Sequence, residues 1–292
     1  MHRTLVLIDS LYKQYGLDGK EKNGILFLPM MKDELTNKFL RIIRKLHLSI
    51  NIPGRSIWLF NWYKIIDKYD TIILADAGNT YNVARYIHEY WPQKRIIIWF
   101  RNSVKATISP EKANRTYCEL WSFDENDCKK YGMQFNPQFY MRNSKYREKK
   151  EKYDAFFVGQ DKGREQILNR IEIELKKCGL NTKFCIVGKN SDRLEYDEVL
   201  DYISQSRIII DCQCKWQDGI TLRPLEALFY SKKLITNNPA IKDLPFYKKN
   251  NIYVYDVDDI AGLKEFVESP YIKVKDDIIE NYGLVGWVGR FN

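Results

Sequence analysis

The sequence predicts an α/β protein made of two doubly wound domains, and three observations carry that expectation. Short apolar runs alternate with helical patterns along the chain, which is how parallel sheets covered on both faces read. The 292 residues exceed the roughly 100–200 of a usual single domain. The alternation is broken by NSKYREKKEK (143 to 152), a charged run without an aliphatic side chain, which reads as a solvated linker.

The elements follow in order. RTLVLID (3 to 9) predicts a strand, residues 32 to 46 a helix, and SIWLF (56 to 60) and DTIILAD (70 to 76) two further strands. A helix over 79 to 90, then RIIIWF (95 to 100) and YCELWSF (117 to 123), continue the pattern. SFDENDCKKYG carries a helix start and stop: Asp124 can cap the free amides and Gly132 can close the end. These elements define a first domain over 1 to 142. The second, over 153 to 270, begins with YDAFFVG (153 to 159), a helix to about 177, and NTKFCIVG (181 to 188). It continues with a helix near 195 to 204, SRIIIDC (206 to 212), a helix holding Glu226, KKLITN (232 to 237) and NIYVYD (251 to 256). KDDIIENYGLVGWVGRFN (275 to 292) predicts a terminal helix within 271 to 292. Sheets of this kind bind ligands beyond the carboxyl ends of their strands, so two facing domains are expected to enclose a cleft.

Composition narrows the class. Hydrophobic residues at 45% and charged residues at 29% exclude a disordered chain. No apolar run reaches the ~20 residues of a membrane span, and Asp9 and Lys13 interrupt the N-terminal segment before a secretory core could form, so a cytoplasmic protein is expected. The pairs Cys212/Cys214 and Cys118/Cys128 lack zinc-site spacing and read as reduced thiols. A net charge of +9 favours an anionic partner: nucleic acid, anionic lipid or a phosphorylated ligand. No RRM, KH or helix-turn-helix signature is present, which places nucleic acid last.

Two stretches carry the chemistry. In FFVGQDKGREQIL (156 to 168) a strand ends at Gly159 and a helix starts within a few residues, bringing Lys162, Gly163 and Arg164 to its N-terminus. Amides, helix dipole and cations together suit a phosphate, although the spacing is neither a Walker loop nor GxGxxG, and a solvated turn is the competing reading. In WQDGITLRPLEALF (216 to 229) Gly219 allows close backbone approach, and Pro224 is tolerated in the first helical turn. Asp218, Thr221, Arg223 and Glu226 are the polar set there. Glu226 can accept both hydroxyls of a ribose and Arg223 can neutralise phosphate, or the two can simply form an intrahelical pair.

Taken together, FFVGQDKGR, then an acidic residue, seven spacers and Glu within DGITLRPLEAL, then KKLITNN, resemble the donor-binding domain of the GT-B glycosyltransferases. LWSFDENDCKKYGMQFNPQFY is similar to bacterial members that build capsule, exopolysaccharide and lipopolysaccharide. The resemblance implies two facing Rossmann-like domains and a nucleotide-sugar donor, such as a UDP-, GDP- or dTDP-sugar, bound to the second. It implies that Glu226 holds the ribose and that Lys162 or Arg164 holds the diphosphate. Gly159, Gly188, Asp218, Gly219, Thr221 and Arg223 complete the expected donor set, with Asp218 standing where many members have Glu. It also implies a terminal helix crossing back to the first domain.

Transfer builds negative charge on the leaving diphosphate, which preorganised cations and amides stabilise. No His/Cys/carboxylate cluster has metal-ligand spacing, so neither metal nor cofactor is expected. For an acceptor base, Asp76 at the end of TIILAD is favoured over Asp9 at the end of the first strand. A retaining reaction using the leaving phosphate as base stays open. Trp58, Trp62, Tyr63, Tyr81 and Trp99 offer stacking faces for a glycan or lipid-linked acceptor, and the positive charge suits the anionic inner face of a membrane. A nucleotide-sugar epimerase of the same fold and a non-catalytic module, either glycosyltransferase-like or polyanion-binding, are the alternatives.

Overall fold

A computed structural model describes residues 2–8, 19–32, 35–50, 52–189, 191–214, 219–259 and 261–291. Asp9 and Asp218 lie outside the described residues. The chain divides into two compact units, Met1–Asn136 and Pro137–Asn292.

The first unit holds β1 (Thr4–Leu7), β2 (Ile25–Leu28), α1 (Lys38–Ser49), β3 (Thr71–Ala75), α2 (Thr80–Tyr90), β4 (Arg95–Phe100), β5 (Glu119–Ser122), α3 (Glu125–Tyr131) and β6 (Gln134–Phe135). Its six strands form one parallel sheet in the order β2-β1-β3-β4-β5-β6. Every residue of β3 is buried, so both of its faces are covered, as the continuous apolar run requires. Alternate residues Ile72, Leu74, Ile96, Ile98 and Phe100 pack with Val83, Ala84 and Ile87 of α2. The winding reverses between β1 and β3, which makes the carboxyl ends of those strands the switch point.

Two expectations fail in this unit. SIWLF is not a strand: Gly54 turns the backbone left-handed at φ 83° and Arg55–Trp58 form a 3-10 turn. The edge strand is ILFL of β2 instead, a run short enough between Gly24 and Pro29 to escape notice. The helix expected from residue 32 starts at Lys38, because the Asn37 side chain accepts hydrogen bonds from the amides of Phe39 and Leu40 and fixes the cap there. By contrast Asp124 caps α3 by accepting from the amides of Asn126 and Asp127, and Gly132 ends it at φ 61°, as the sequence reads.

The second unit holds β7 (Tyr153–Gln160), α4 (Glu165–Lys177), β8 (Thr182–Val187), α5 (Tyr196–Ser204), β9 (Ser206–Asp211), α6 (Leu222–Phe229), β10 (Lys233–Thr236), β11 (Ile252–Val254), α7 (Gly262–Glu268), α8 (Asp276–Asn281) and α9 (Leu284–Gly289). Its parallel sheet runs β11-β10-β9-β7-β8, with the switch point between β7 and β9. Neighbours on β7 enter different cores, as a period of two demands. Phe156 packs with Val199, Ile203, Leu225 and Leu228 of α5 and α6, whereas Phe157 packs with Leu168, Ile171, Leu263 and Phe266 of α4 and α7. Each unit is therefore Rossmann-like, an α/β layer fold around a parallel sheet.

The units divide at 136/137, ahead of the end expected at 142, because Phe139 and Tyr140 are already fully buried in the second unit. The charged run 143 to 152 lies on that unit too: Tyr146 stacks on Tyr230 with centroids 3.8 Å apart, and Lys145 pairs with Asp197 at 2.7 Å. The terminal segment is two short helices rather than one, broken at Tyr282 and Gly283. A Cβ on Gly286 would lie 2.6 Å from the carbonyl oxygen of Asn281, so α9 approaches α8 as closely as only glycine permits. No helix among the described residues is long and apolar enough to cross a membrane.

Lys233 supplies a pH prediction. Its buried ammonium donates to the carbonyl oxygens of Phe266, Val267 and Ser269 at the end of α7, and burial, assisted by Arg207, lowers its pKa to about 8. A lysine whose folded pKa is depressed contributes stability that is complete above its ordinary value of 10.5 and is lost as pH falls through about 8. The stability of the wild type minus that of Lys233→Met is therefore expected to rise between these pH values by up to about 3 kcal/mol in urea unfolding. A flat difference would refute it.

Candidate functional site

Apart from Asp218, which lies outside the described residues, the residues singled out in the second half of the sequence gather at the carboxyl edge of the second sheet, around the β7/β9 switch point. β7 runs into a tight turn in which Lys162 and Gly163 are both left-handed, at φ 46° and 79°. The carboxylate of Asp161 accepts from the amides of Arg164 (3.0 Å) and Glu165 (2.8 Å), so the first turn of α4 is capped from within the chain. Asp161 was not among the expected site residues, though its place just before a helix start is an N-cap signal.

Arg164 is held by backbone. Its guanidinium donates to the carbonyl oxygens of Gln160 (2.6 Å), Asp161 (3.2 Å) and Cys212, and lies over the Phe157 ring. It thereby bridges the two strand ends across the switch point, and its hydrogen bonds go to backbone rather than outward. Gly159 makes room for it, since a Cβ there would sit 2.9 Å from the Arg164 Nη2 atom. Lys162, in contrast, is exposed and forms no ion pair among the described residues. Gly188 follows β8 on the same edge, in register just beyond Gln160, with a left-handed φ of 84° and open space where a Cβ would point.

Across the switch point, Thr221 caps α6. Its hydroxyl accepts from the Arg223 amide (3.2 Å) and donates to Oδ1 of Asp211 (3.0 Å), while Thr236 donates to Oδ2 (3.1 Å). Asp211 ends β9 and is buried. Burial raises its pKa, against the pull of the two threonine hydroxyls and of Arg164 and Arg223. This carboxylate was missed in the sequence, although it closes an apolar strand just as Asp76 does. Gln213 and Asn237 exchange hydrogen bonds (2.7 and 3.2 Å), and the Gln213 side chain donates to the carbonyl oxygen of Gly219 (3.0 Å), tying the start of the α6 segment to β10.

Glu226 is fully buried. One carboxylate oxygen pairs with Arg223 and the other accepts from the Tyr196 hydroxyl at 2.9 Å. The Tyr196 hydroxyl also meets Tyr140 at 2.7 Å, and Tyr140 donates to Tyr230 at 2.9 Å, whose oxygen accepts from the Asn143 amide at 3.1 Å. Burial raises the pKa of Tyr140 and Tyr196, so both remain protonated. Arg223 and Glu226 thus form the intrahelical pair that the sequence allowed as the simpler reading, embedded in a hydroxyl chain that it gave no sign of.

In the first unit, Asp76 sits where expected, directly after β3, but its side chain has 0% exposure. Its carboxylate accepts from the Asn102 side chain (3.1 Å) and the Arg101 amide (3.3 Å), and pairs with the Arg101 guanidinium at 3.2 Å. Burial raises its pKa in spite of Arg101. A base must reach an acceptor hydroxyl, and in this structure the carboxylate is turned toward Arg101 and Asn102 instead. Trp62 and Trp99 are likewise core residues, and Trp58 donates to Nδ1 of His47 at 3.0 Å.

No protein-family model matches this sequence, and no characterised protein matches it either. Among solved structures the chain is similar to the UDP-GlcNAc 2-epimerase of Methanocaldococcus jannaschii in complex with UDP-GlcNAc and UDP, with 11% identity, a TM-score of 0.42 and all of both chains covered. It is also similar to sucrose-phosphate synthase from Thermosynechococcus elongatus, with 11% identity and a TM-score of 0.45 over 85% of this chain and 74% of that one. Likeness at this level carries no argument about fold, site or substrate.

Proposed function

We propose that the chain is a glycosyltransferase of GT-B type that takes a sugar from a nucleotide-sugar and delivers it to a growing glycan or lipid-linked acceptor of the cell surface. The observation that carries this reading is the edge of the second sheet at its switch point. There Gly159, the Lys162–Gly163 turn, Gly188 and the α6 start from Gly219 to Thr221 converge, with the exposed cation Lys162 among them. This is the place where open α/β sheets bind nucleotides. Lys162 would neutralise the diphosphate of a UDP-, GDP- or dTDP-sugar as the glycosidic bond breaks. Arg164 would act one step back, holding the turn against β9.

Glu226 would receive the ribose by exchanging the Tyr196 hydroxyl for a ribose hydroxyl. The acceptor falls to the first unit, on the cytoplasmic side of a membrane. Since Asp76 is enclosed, proton removal would rest with Asp9 or with the leaving phosphate.

Thermal unfolding with UDP, GDP, CDP, ADP and dTDP tests the donor site. One nucleotide is expected to raise the midpoint, and Lys162→Ala is expected to weaken that nucleotide about tenfold while leaving the unliganded midpoint in place. No shift with any of them would sink the reading and favour a non-catalytic module. Conversion of a free nucleotide-sugar without acceptor would instead identify the epimerase.

A further inference from the structure

The helix α1 is built inside out. Phe39, Ile42 and Leu46 recur at the three- and four-residue spacing that puts them on one face, Ile50 continues the line past the helix end, and these four are 68%, 57%, 56% and 52% exposed. Ile57, in the 3-10 turn that follows, is a further 59% exposed. The one buried residue of α1 is Leu48, on the opposite side. Its carbonyl accepts from Arg85 at 2.9 Å, and the adjacent His47 accepts from Trp58, so the helix is anchored to the unit by its other face. An apolar stripe of this size facing water has a partner to meet.

The charges say which kind. KFLRIIRKLHLS contains Lys38, Arg41, Arg44 and Lys45 and no acidic residue. Lys38, Arg41 and Lys45 form no ion pair among the described residues. A second copy docking stripe to stripe would bring these cations against their own equivalents, which Coulomb repulsion opposes. An apolar face bordered by Lys38 and Lys45 matches an anionic bilayer surface: the apolar side chains enter the acyl boundary while the two ammonium heads stay at the phosphates.

We propose that α1, with Ile50 and Ile57, is the surface by which this chain lies on an anionic membrane. It rests on the membrane-side part of the reading above and not on the donor site. The test is cosedimentation of the full chain with phosphatidylglycerol-containing vesicles and with pure phosphatidylcholine vesicles. The wild type is expected to bind the anionic vesicles selectively and to weaken at least about tenfold in ~0.5 M salt. The combined variant Phe39→Ser, Ile42→Ser and Leu46→Ser is expected to bind at least about tenfold more weakly at low salt with its melting temperature retained, and Lys38→Glu with Lys45→Glu to lose the preference for anionic lipid.

Wild-type protein that ignores the vesicles, or a serine variant that binds as well as the wild type, would overturn the proposal. So would a serine variant that loses thermal stability, which would mean that the chain covers its own stripe, or a stripe-dependent dimer in sizing chromatography. Nucleotide-induced shifts read the donor site separately: their absence alongside intact vesicle binding counts against the transferase reading alone.

Discussion

Asp76→Asn is expected to destabilise the first unit by about 3 kcal/mol, read as a lower midpoint in urea unfolding at unchanged slope. The carboxylate has no exposed surface, and burial already makes its charge costly, as its raised pKa shows. What holds it there is the set of donors aimed at it: the Arg101 guanidinium at 3.2 Å, the Arg101 amide at 3.3 Å and the Asn102 amide at 3.1 Å. Asparagine keeps the volume and can still accept at one atom. Its NH2 group then faces donors, and Arg101 loses the Asp76 charge that it pairs with at 3.2 Å. The cost comes from those stranded partners more than from the lost attraction itself. The same variant separates two roles. A stable Asp76→Asn protein that has lost transfer activity would make Asp76 the base after all, whereas an unstable protein whose remaining folded fraction is active confirms the buried strut.

The two sheets were legible because parallel strands buried on both faces must be apolar throughout. RIIIWF and KLIT announce themselves, and the βα punctuation at Asp124 and Gly132 is local chemistry that needs no tertiary partner. What failed was decided at longer range. SIWLF has strand composition, but Gly54 and the bond from Trp58 to His47 hold it in 3-10 turns, and neither its apolar count nor its spacing records that. The first helix was placed too early because its apolar spacing does not mark Asn37 as the cap, and the structure turns most of its apolar residues outward. At the site, spacing brought Gly159, Lys162, Arg164, Thr221, Arg223 and Glu226 to one sheet edge. Spacing does not say whether a charged side chain points out of the edge or into it. Arg164 finds three carbonyls, Glu226 finds Tyr196 from a helix some 30 residues earlier, and Asp211 finds two threonines. Those pairings depend on strand order, which periodicity alone leaves open.

Strand order also gives Glu226 its sharpest test. Glu226→Ala is expected to cost about 3–5 kcal/mol, because it strands the Arg223 cation and leaves a buried tyrosine hydroxyl without its acceptor. A loss of nucleotide binding in that variant would therefore be uninformative by itself. Tyr196→Phe is the decisive partner: it leaves the Arg223–Glu226 pair in place and removes only the hydroxyl bonded to Glu226, at an expected cost of about 1–2 kcal/mol in stability. If a ribose hydroxyl takes the oxygen that Tyr196 now occupies, the phenylalanine variant no longer gives up a hydrogen bond on binding. Its nucleotide affinity is then expected to rise about fivefold, by titration calorimetry, even as its melting temperature falls. Stability and affinity moving in opposite directions is a signature that a purely structural network would not produce, since there both variants would lose stability while the phenylalanine variant kept the wild-type affinity. An unchanged dissociation constant would leave Glu226 as the anchor of the hydroxyl chain through Tyr140 and Tyr230 and move the ribose elsewhere on the sheet edge.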